Sequence, residues 1–104
     1  ASAVHAVAYN RLGQPVATGR LLYEAPGDAR IGRMAVDRVL RGQRWGRMVL
    51  DALVHAARQR GDVQVTLHAQ RSAEGFYQRA GFAAVGEPFE EVGIPHISMR
   101  QVFG

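Results

Sequence analysis

The sequence predicts one domain spanning residues 1–104, of α/β class, with a mixed sheet and at least two helices. Three observations carry this expectation. Val49, Leu50, Leu53, Val54 and Ala57 fall on one face of a helix, with Arg47, Asp51, His55 and Arg58 on the other. In DVQVTLHAQ, Val63, Val65, Leu67 and Ala69 alternate strictly with Gln64, Thr66, His68 and Gln70. A strand candidate, ARIGRMAVD, precedes the helix. Strand, long helix and strand form a βαβ unit with parallel neighbours and a right-handed crossover.

The remaining elements follow in chain order. HAVAYNRLGQPVATGRLLYE predicts a hairpin, because Asn10 can start a turn and Gly13 can take positive φ between two runs rich in Val, Ala, Leu and Tyr. EAPGD bounds the third strand upstream. That strand alternates poorly, as expected of one covered on both faces. Arg58 and Arg60 suit the negative end of the long helix, and Gly61 is placed to cap it. SAEGFYQRAG predicts a short helix with Ser72 as N-cap and Gly81 as its stop. FAAVGEPFEE and PHISMRQVF close the sheet as two strands joined by a loop containing Pro and Gly.

Composition narrows the function classes. A chain without cysteine has no thiol nucleophile, disulfide or cysteine-ligated metal. His5, His55, His68 and His96 are too scattered for a helical metal pair, so no metal site is expected. No apolar run reaches the roughly 20 residues of a membrane span, and the first residues lack the pattern of a signal peptide. A net charge of +4 and a pI near 10.6 favour an anionic partner: nucleic acid, a phosphorylated cofactor or an acidic substrate.

The most informative stretch is LRGQRWGR, just before the long helix. No Ser, Thr, Asp or Asn stands there to satisfy the first amides, whose macrodipole places about half a positive charge at that end. Gly42 and Gly46 would admit a phosphate, and Arg41, Arg44 and Arg47 supply fork-shaped donors. The plainer alternative is a helix capped by solvent in a basic protein. Neither a Walker loop nor a dinucleotide fingerprint is present.

MAVDRVLRGQRWGRMVLDAL resembles the cofactor motif of the GNAT superfamily of N-acetyltransferases, in which a strand leads into Gln/Arg-x-x-Gly-x-Gly/Ala and a long helix. Arg41 takes the first position and Gly46 the last, with Arg44 in place of the middle glycine. AEGFYQRAGF resembles the second signature of that family, with Ala73, Tyr77, Gly81 and Phe82 in register. The ending LHAQ…GFYQRAGF…GEPFEEVGIPHISM is similar to the ElaA-like branch. The resemblance covers essentially the whole chain, although the strand and helices that usually open the fold are missing before the hairpin. A sheet edge left open in this way is expected to pair with a second copy, giving a homodimer.

The resemblance implies an acetyl-CoA-dependent transfer of an acetyl group to an amine of a small molecule or protein. The alternatives are an acetyl-CoA-binding remnant without catalysis, and a basic nucleic-acid-binding module. The last is disfavoured, because no aromatic-rich basic strand or base-reading motif is present. The loop from Arg41 through Gly42, Gln43, Arg44, Trp45 and Gly46 to Arg47 would hold the pyrophosphate, while Trp45 alternatively anchors the helix start. The backbone of Met34, Ala35 and Val36 would pair with the pantetheine arm, and an amide near Val36 would serve the oxyanion. The thioester would lie where the third strand diverges from its parallel neighbour. Gln70 stands where relatives place a pantetheine-binding residue, and is otherwise the exposed end of its strand; Ala73 belongs to the same cofactor set.

The chemistry needs a neutral amine and a proton for the departing thiolate. Tyr77 matches the tyrosine that the family uses as this acid; its alternative is packing beside Phe76. No glutamate occupies the strand over residues 30–36, where Arg30 and Arg33 stand instead. Glu91, His96 and His68 are the substitutes for the base, each alternatively a surface group. Arg20 and Arg33 could bind an acidic acceptor or lie free in solvent. Asp51 and His55 read as a solvated pair. Acetyl-CoA supply and the lack of a signal place the protein in the cytoplasm.

Overall fold

The computed structural model describes residues 4–9, 11–36 and 45–103. Six strands form one sheet: β1 (Val4–Tyr9), β2 (Pro15–Ala25), β3 (Asp28–Val36), β4 (Gln64–Gln70), β5 (Ala83–Glu91) and β6 (Ile94–Val102). Their order is β1-β2-β3-β4-β6-β5, with β3 and β4 parallel and all other pairs antiparallel. Helix α1 (Trp45–Gln59) joins the two parallel strands. A 3-10 turn (Arg71–Ala73) and helix α2 (Glu74–Arg79) join β4 to β5. The mixed sheet and the βαβ unit match the expectation from sequence. Asn10 lies outside the described residues; Gly13 has the expected positive φ, 77°.

Periodicity explains which face is buried. On β4 the apolar set Val65, Leu67 and Ala69 is buried, while Thr66 is half-buried and His68 and Gln70 are exposed. Val49, Leu50 and Leu53 of α1, buried in the same cluster, each contribute about 1.5–3 kcal/mol. Tyr77 of α2 joins them, with Phe82, Ile97 and Met99. Both helices therefore serve one face of the sheet. The opposite face carries no helix among the described residues. This corrects the expectation that β3 is covered on both sides. Its buried residues Ala29 and Ile31 alternate with half-buried Arg30 and Gly32, so the strand has one apolar face and one polar one.

Two local expectations are also revised. Ser72 is not the N-cap of α2, because a 3-10 turn precedes the helix and Ala73 occupies the cap position without a side-chain hydrogen bond. Asp51 accepts a hydrogen bond from Arg47 Nε at 2.9 Å, so its partner is the arginine four residues before it rather than His55. Both helix stops behave as expected: Gly61 (φ 87°) and Gly81 (φ 98°) take the left-handed conformation that ends a helix cheaply only at glycine. Arg60 then reaches Asp62, a buried carboxylate, at 2.8 Å.

The β5–β6 hairpin turns through Val92 and Gly93, both at positive φ (47° and 74°). A β-branched residue is strained there, and Val92 is 92% exposed, so packing does not compensate. Val92→Asn should therefore stabilise the protein by about 1 kcal/mol, read as a higher urea midpoint at unchanged slope. An unchanged or lower midpoint would contradict this turn geometry.

Candidate active site

Strand register creates a cleft. Pairing of β3 with β4 runs from Asp28↔Gln64 to Ile31↔Leu67 and then ends, although β3 continues to Val36 and β4 to Gln70. Beyond Ile31 the registered partners of β3 are on β2 alone, at Arg20↔Gly32, Thr18↔Ala35 and Ala17↔Val36. The two parallel strands thus part at Gly32 and His68. A β-carbon built on Gly32 meets nothing within 4 Å, so the mouth of the cleft is open there.

His68 is the first residue of β4 past the last registered pair. Its Nδ1 lies 3.1 Å from Glu91 Oε1 and 3.1 Å from Arg30 Nη2. One ring nitrogen cannot both donate to the carboxylate and accept from the guanidinium. With the proton on Nδ1 the bond goes to Glu91, and Nε2 keeps its lone pair. In that tautomer the carboxylate orients the imidazole, as a general base requires. Phe89 braces the ring edge-on at 5.0 Å.

Glu91 reaches this point because β5 is bulged. Between Val85↔Ser98 and Phe89↔His96 the strand advances four residues against two on β6. An even surplus preserves the alternation of faces, so Val85, Phe89 and Glu91 all stay on the face of His68. His96 shares it. Its Nδ1–H donates to the Ile94 carbonyl at 2.7 Å, its ring stacks on Phe89 at 6.0 Å, and its Nε2 stands 3.6 Å from Glu91 Oε2. It is buried, whereas His68 and Glu91 remain accessible. The structure therefore brings together all three candidate bases. Arg30 joins them, a convergence that residue spacing alone does not reveal.

The described residues among those expected to hold the cofactor lie on β3, α1, β4, the 3-10 turn and α2. Arg41, Gly42, Gln43 and Arg44 fall outside the described residues. Trp45, half-buried, packs against the core, Gly46 is buried, and the first turn of α1 contains no acidic side chain. A bound anion would meet no carboxylate in that turn. Arg47 pairs with Asp51 in an exposed contact worth about 0–1 kcal/mol, which a phosphate could displace. Met34 sends its sulfur toward Gly19 beneath α1. The backbones of Met34, Ala35 and Val36 lie on β3 beside the cleft, and Gln70 is exposed at the end of β4. Ala73 packs half-buried on the core. These features fit a phosphorylated thioester whose anionic end meets α1 and whose tail follows β3.

Tyr77 is set apart from the histidines. Its ring lies edge-on to Phe76 (5.0 Å) and Phe82 (6.1 Å), and its hydroxyl has no hydrogen-bond partner among the described residues. Burial pushes its phenol above the ordinary value of 10.0, so it remains a proton donor at neutral pH. The sign for stability follows. Ionisation is disfavoured only in the folded state, so this contribution is present below pH 10 and is lost as pH rises through the folded value. All 13 basic side chains are arginine, so no lysine titrates in that window. Tyr77→Phe should flatten the fall of the urea midpoint between about pH 9 and 11. An identical fall in the variant would refute the assignment.

The sheet is thus split between the two parallel strands that α1 joins, with His68 and Glu91 at the mouth of the split. A family model described as an acetyltransferase (GNAT) domain matches residues 1–103, and the chain belongs to that family. Among solved structures it is similar to ElaA of Escherichia coli, with 31% identity and a TM-score of 0.86 over 97% of this chain and 69% of that one. An acyl-CoA N-acyltransferase from Pseudomonas aeruginosa shares 36% identity at a TM-score of 0.83, over 98% and 70% of the two chains. YyaT of Bacillus subtilis is 32% identical over 97 residues, which is 93% of this chain and 64% of YyaT. The chain thus spans less than two thirds of the length of curated relatives that it matches.

Proposed function

We propose that the protein transfers an acetyl group from acetyl-CoA to an amine, with His68 as the base. The observation that carries this reading is the His68–Glu91 contact of 3.1 Å where β3 and β4 part. Acetyl-CoA supplies an activated acyl group as a thioester. Arg41 and Arg47, with the loop and α1 amides from Gly42 to Gly46, hold its pyrophosphate, and the β3 backbone from Met34 to Val36 aligns its arm.

His68 Nε2 takes a proton from the incoming ammonium while Glu91 holds the opposite nitrogen, fixing tautomer and ring direction. Tyr77, kept protonated by burial, is the donor for the departing sulfur. His96 is a positioning residue, since its own proton is committed to Ile94 and it touches Glu91 rather than the cleft. The absence of lysine removes the commonest protein amine from the chain itself. Cytoplasmic action follows from the supply of acetyl-CoA.

Thermal unfolding with acetyl-CoA, combined with thiol release across an amine panel, tests this reading. At 100 times the dissociation constant the ligand should add about 2.7 kcal/mol of stability. Thiol release should then depend on the amine. Stabilisation without amine-dependent thiol release would reduce the protein to a binder of the cofactor, and no stabilisation would refute the reading outright.

A further inference from the structure

Two side chains reach the same nitrogen of His68. Arg30 Nη2 and Glu91 Oε1 each stand 3.1 Å from its Nδ1. They arrive from different sides of β4. Arg30 comes from β3, where it registers with Thr66, two residues before His68 and on the same face of the sheet. Glu91 comes from β5, beyond β6, carried there by the bulge. Phe89 lies edge-on against the ring at 5.0 Å. Turning the ring over would put a carbon in place of Nδ1 and lose both contacts.

The two contacts exclude each other. A guanidinium only donates, so Arg30 holds Nδ1 only when that nitrogen has a lone pair and the proton is on Nε2. An ionised carboxylate only accepts, so Glu91 holds Nδ1 only when the proton is there. The choice of partner is therefore a choice of tautomer. Both bonds are charge-assisted and equal in length, so geometry favours neither. Arg30 takes part in a further interaction as well. A guanidinium has several N–H donors and needs only one for His68, so that engagement does not remove it from the ring. His96 stays out of the contest while its ring is neutral. Its Nδ1–H is committed to the Ile94 carbonyl, which leaves a lone pair on Nε2 facing Glu91 Oε2.

We infer that Arg30 is a positioning residue that opposes Glu91 at His68 Nδ1 and divides the neutral ring between two tautomers. One, held by Glu91, presents a lone pair at Nε2. The other, held by Arg30, presents a proton there and cannot act as a base. Arg30 thus limits the competent fraction of His68, and its removal releases the ring to Glu91. That the competent form serves catalysis rests on the acetyl-transfer reading; the division of the ring does not.

Nitrogen NMR of the His68 ring, recorded at about pH 8.5 where a free imidazole is neutral, tests this directly. Protonated and lone-pair ring nitrogens resonate far apart, and rapid exchange between tautomers gives intermediate shifts at both. The parent should show such intermediate shifts, with neither tautomer exceeding the other more than about tenfold. Arg30→Met keeps an apolar stem and removes the donor, so Nδ1 should move to the protonated limit and Nε2 to the lone-pair limit. Glu91→Ala should move both nitrogens the opposite way. Loss of packing alone would not produce opposite movements in the two variants. Arg30→Val, a good strand residue, replaces the Met variant if that one does not fold. A parent ring already at one limit, a doubly protonated ring, or shifts unmoved by loss of Arg30 overturns the inference. In the kinetic arm, Arg30→Met should raise kcat by the reciprocal of the competent fraction in the parent, at most about tenfold. Tautomers that shift as expected in a protein that acetylates no amine would defeat the transfer reading alone. Tautomers that shift while kcat stays unchanged would remove His68 as the base and leave the division of the ring standing.

Discussion

Gly19→Val is expected to cost about 3 kcal/mol, a large part of the roughly 5–15 kcal/mol that stabilises a domain of this size. Gly19 lies on β2 where α1 comes closest to the sheet. A β-carbon there would stand 2.6 Å from Met34 Sδ, 2.7 Å from Leu53 Cδ1 and 2.9 Å from Val49 Cγ1. Met34 could swing aside, but Val49 and Leu53 are buried and hold the helix against the strands. Leu53→Ala removes one of those neighbours and should cost about 3–4 kcal/mol by leaving a cavity. The two sites occupy the same space, so their effects should not add. Gly19→Ala combined with Leu53→Ala should be about 1 kcal/mol less damaging than the sum of the single changes. Urea unfolding of the four proteins measures this directly. Additive losses, or a Gly19→Val variant as stable as the parent, would mean that α1 is not seated on β2 as described.

His68→Gln should lower turnover by about 10²–10⁴-fold while leaving the affinity for acetyl-CoA unchanged, because a base is lost and no cofactor contact is touched. Glu91→Gln keeps a polar group at 3.1 Å but no longer fixes the imidazole tautomer, so a smaller loss of on the order of tenfold to a hundredfold is expected. His96→Asn provides the contrast. A buried ring bonded to a backbone carbonyl supports the hairpin, and its removal should lower the unfolding midpoint more than it lowers turnover. Initial rates with a saturating amine and calorimetric cofactor binding separate these outcomes. If His68→Gln retains turnover within a few-fold of the parent, the base lies elsewhere.

The parts of the fold legible in the sequence are those where one physical rule acts alone. β4 has a single apolar face and alternates accordingly, and α1 presents a continuous apolar stripe to the sheet. The stops at Gly61 and Gly81 follow from the low cost of positive φ at glycine. The local chemistry of Ser72 misled, since a hydroxyl near a helix start is as compatible with a 3-10 turn as with a cap. The two-sided cover expected for β3 failed because the placement of both helices on one face is a tertiary property that no strand of nine residues records. Spacing alone could not choose between Arg47 and His55 for Asp51, each one turn away; the permanent cation is the one that pairs.

For the site, residue types were readable but their meeting was not. His68, Glu91 and His96 are recognisable as titratable groups near strand ends. Their convergence depends on the two surplus residues in β5 and on the parallel register that sets Arg30 beside Thr66. Both are long-range facts. The seat of His96 beside Phe89 depends on the pairing of β6 between β4 and β5, which periodicity leaves open.

Amide hydrogen exchange, with and without acetyl-CoA, locates the bound cofactor on the fold. Bound cofactor should slow exchange at the amino end of α1, Trp45 to Arg47, and along β3 from Met34 to Val36, and leave the β1–β2 hairpin turn unaffected. Saturable binding that leaves both segments exchanging at their free rates would show that the cofactor sits elsewhere, and the assigned cleft would have to be abandoned.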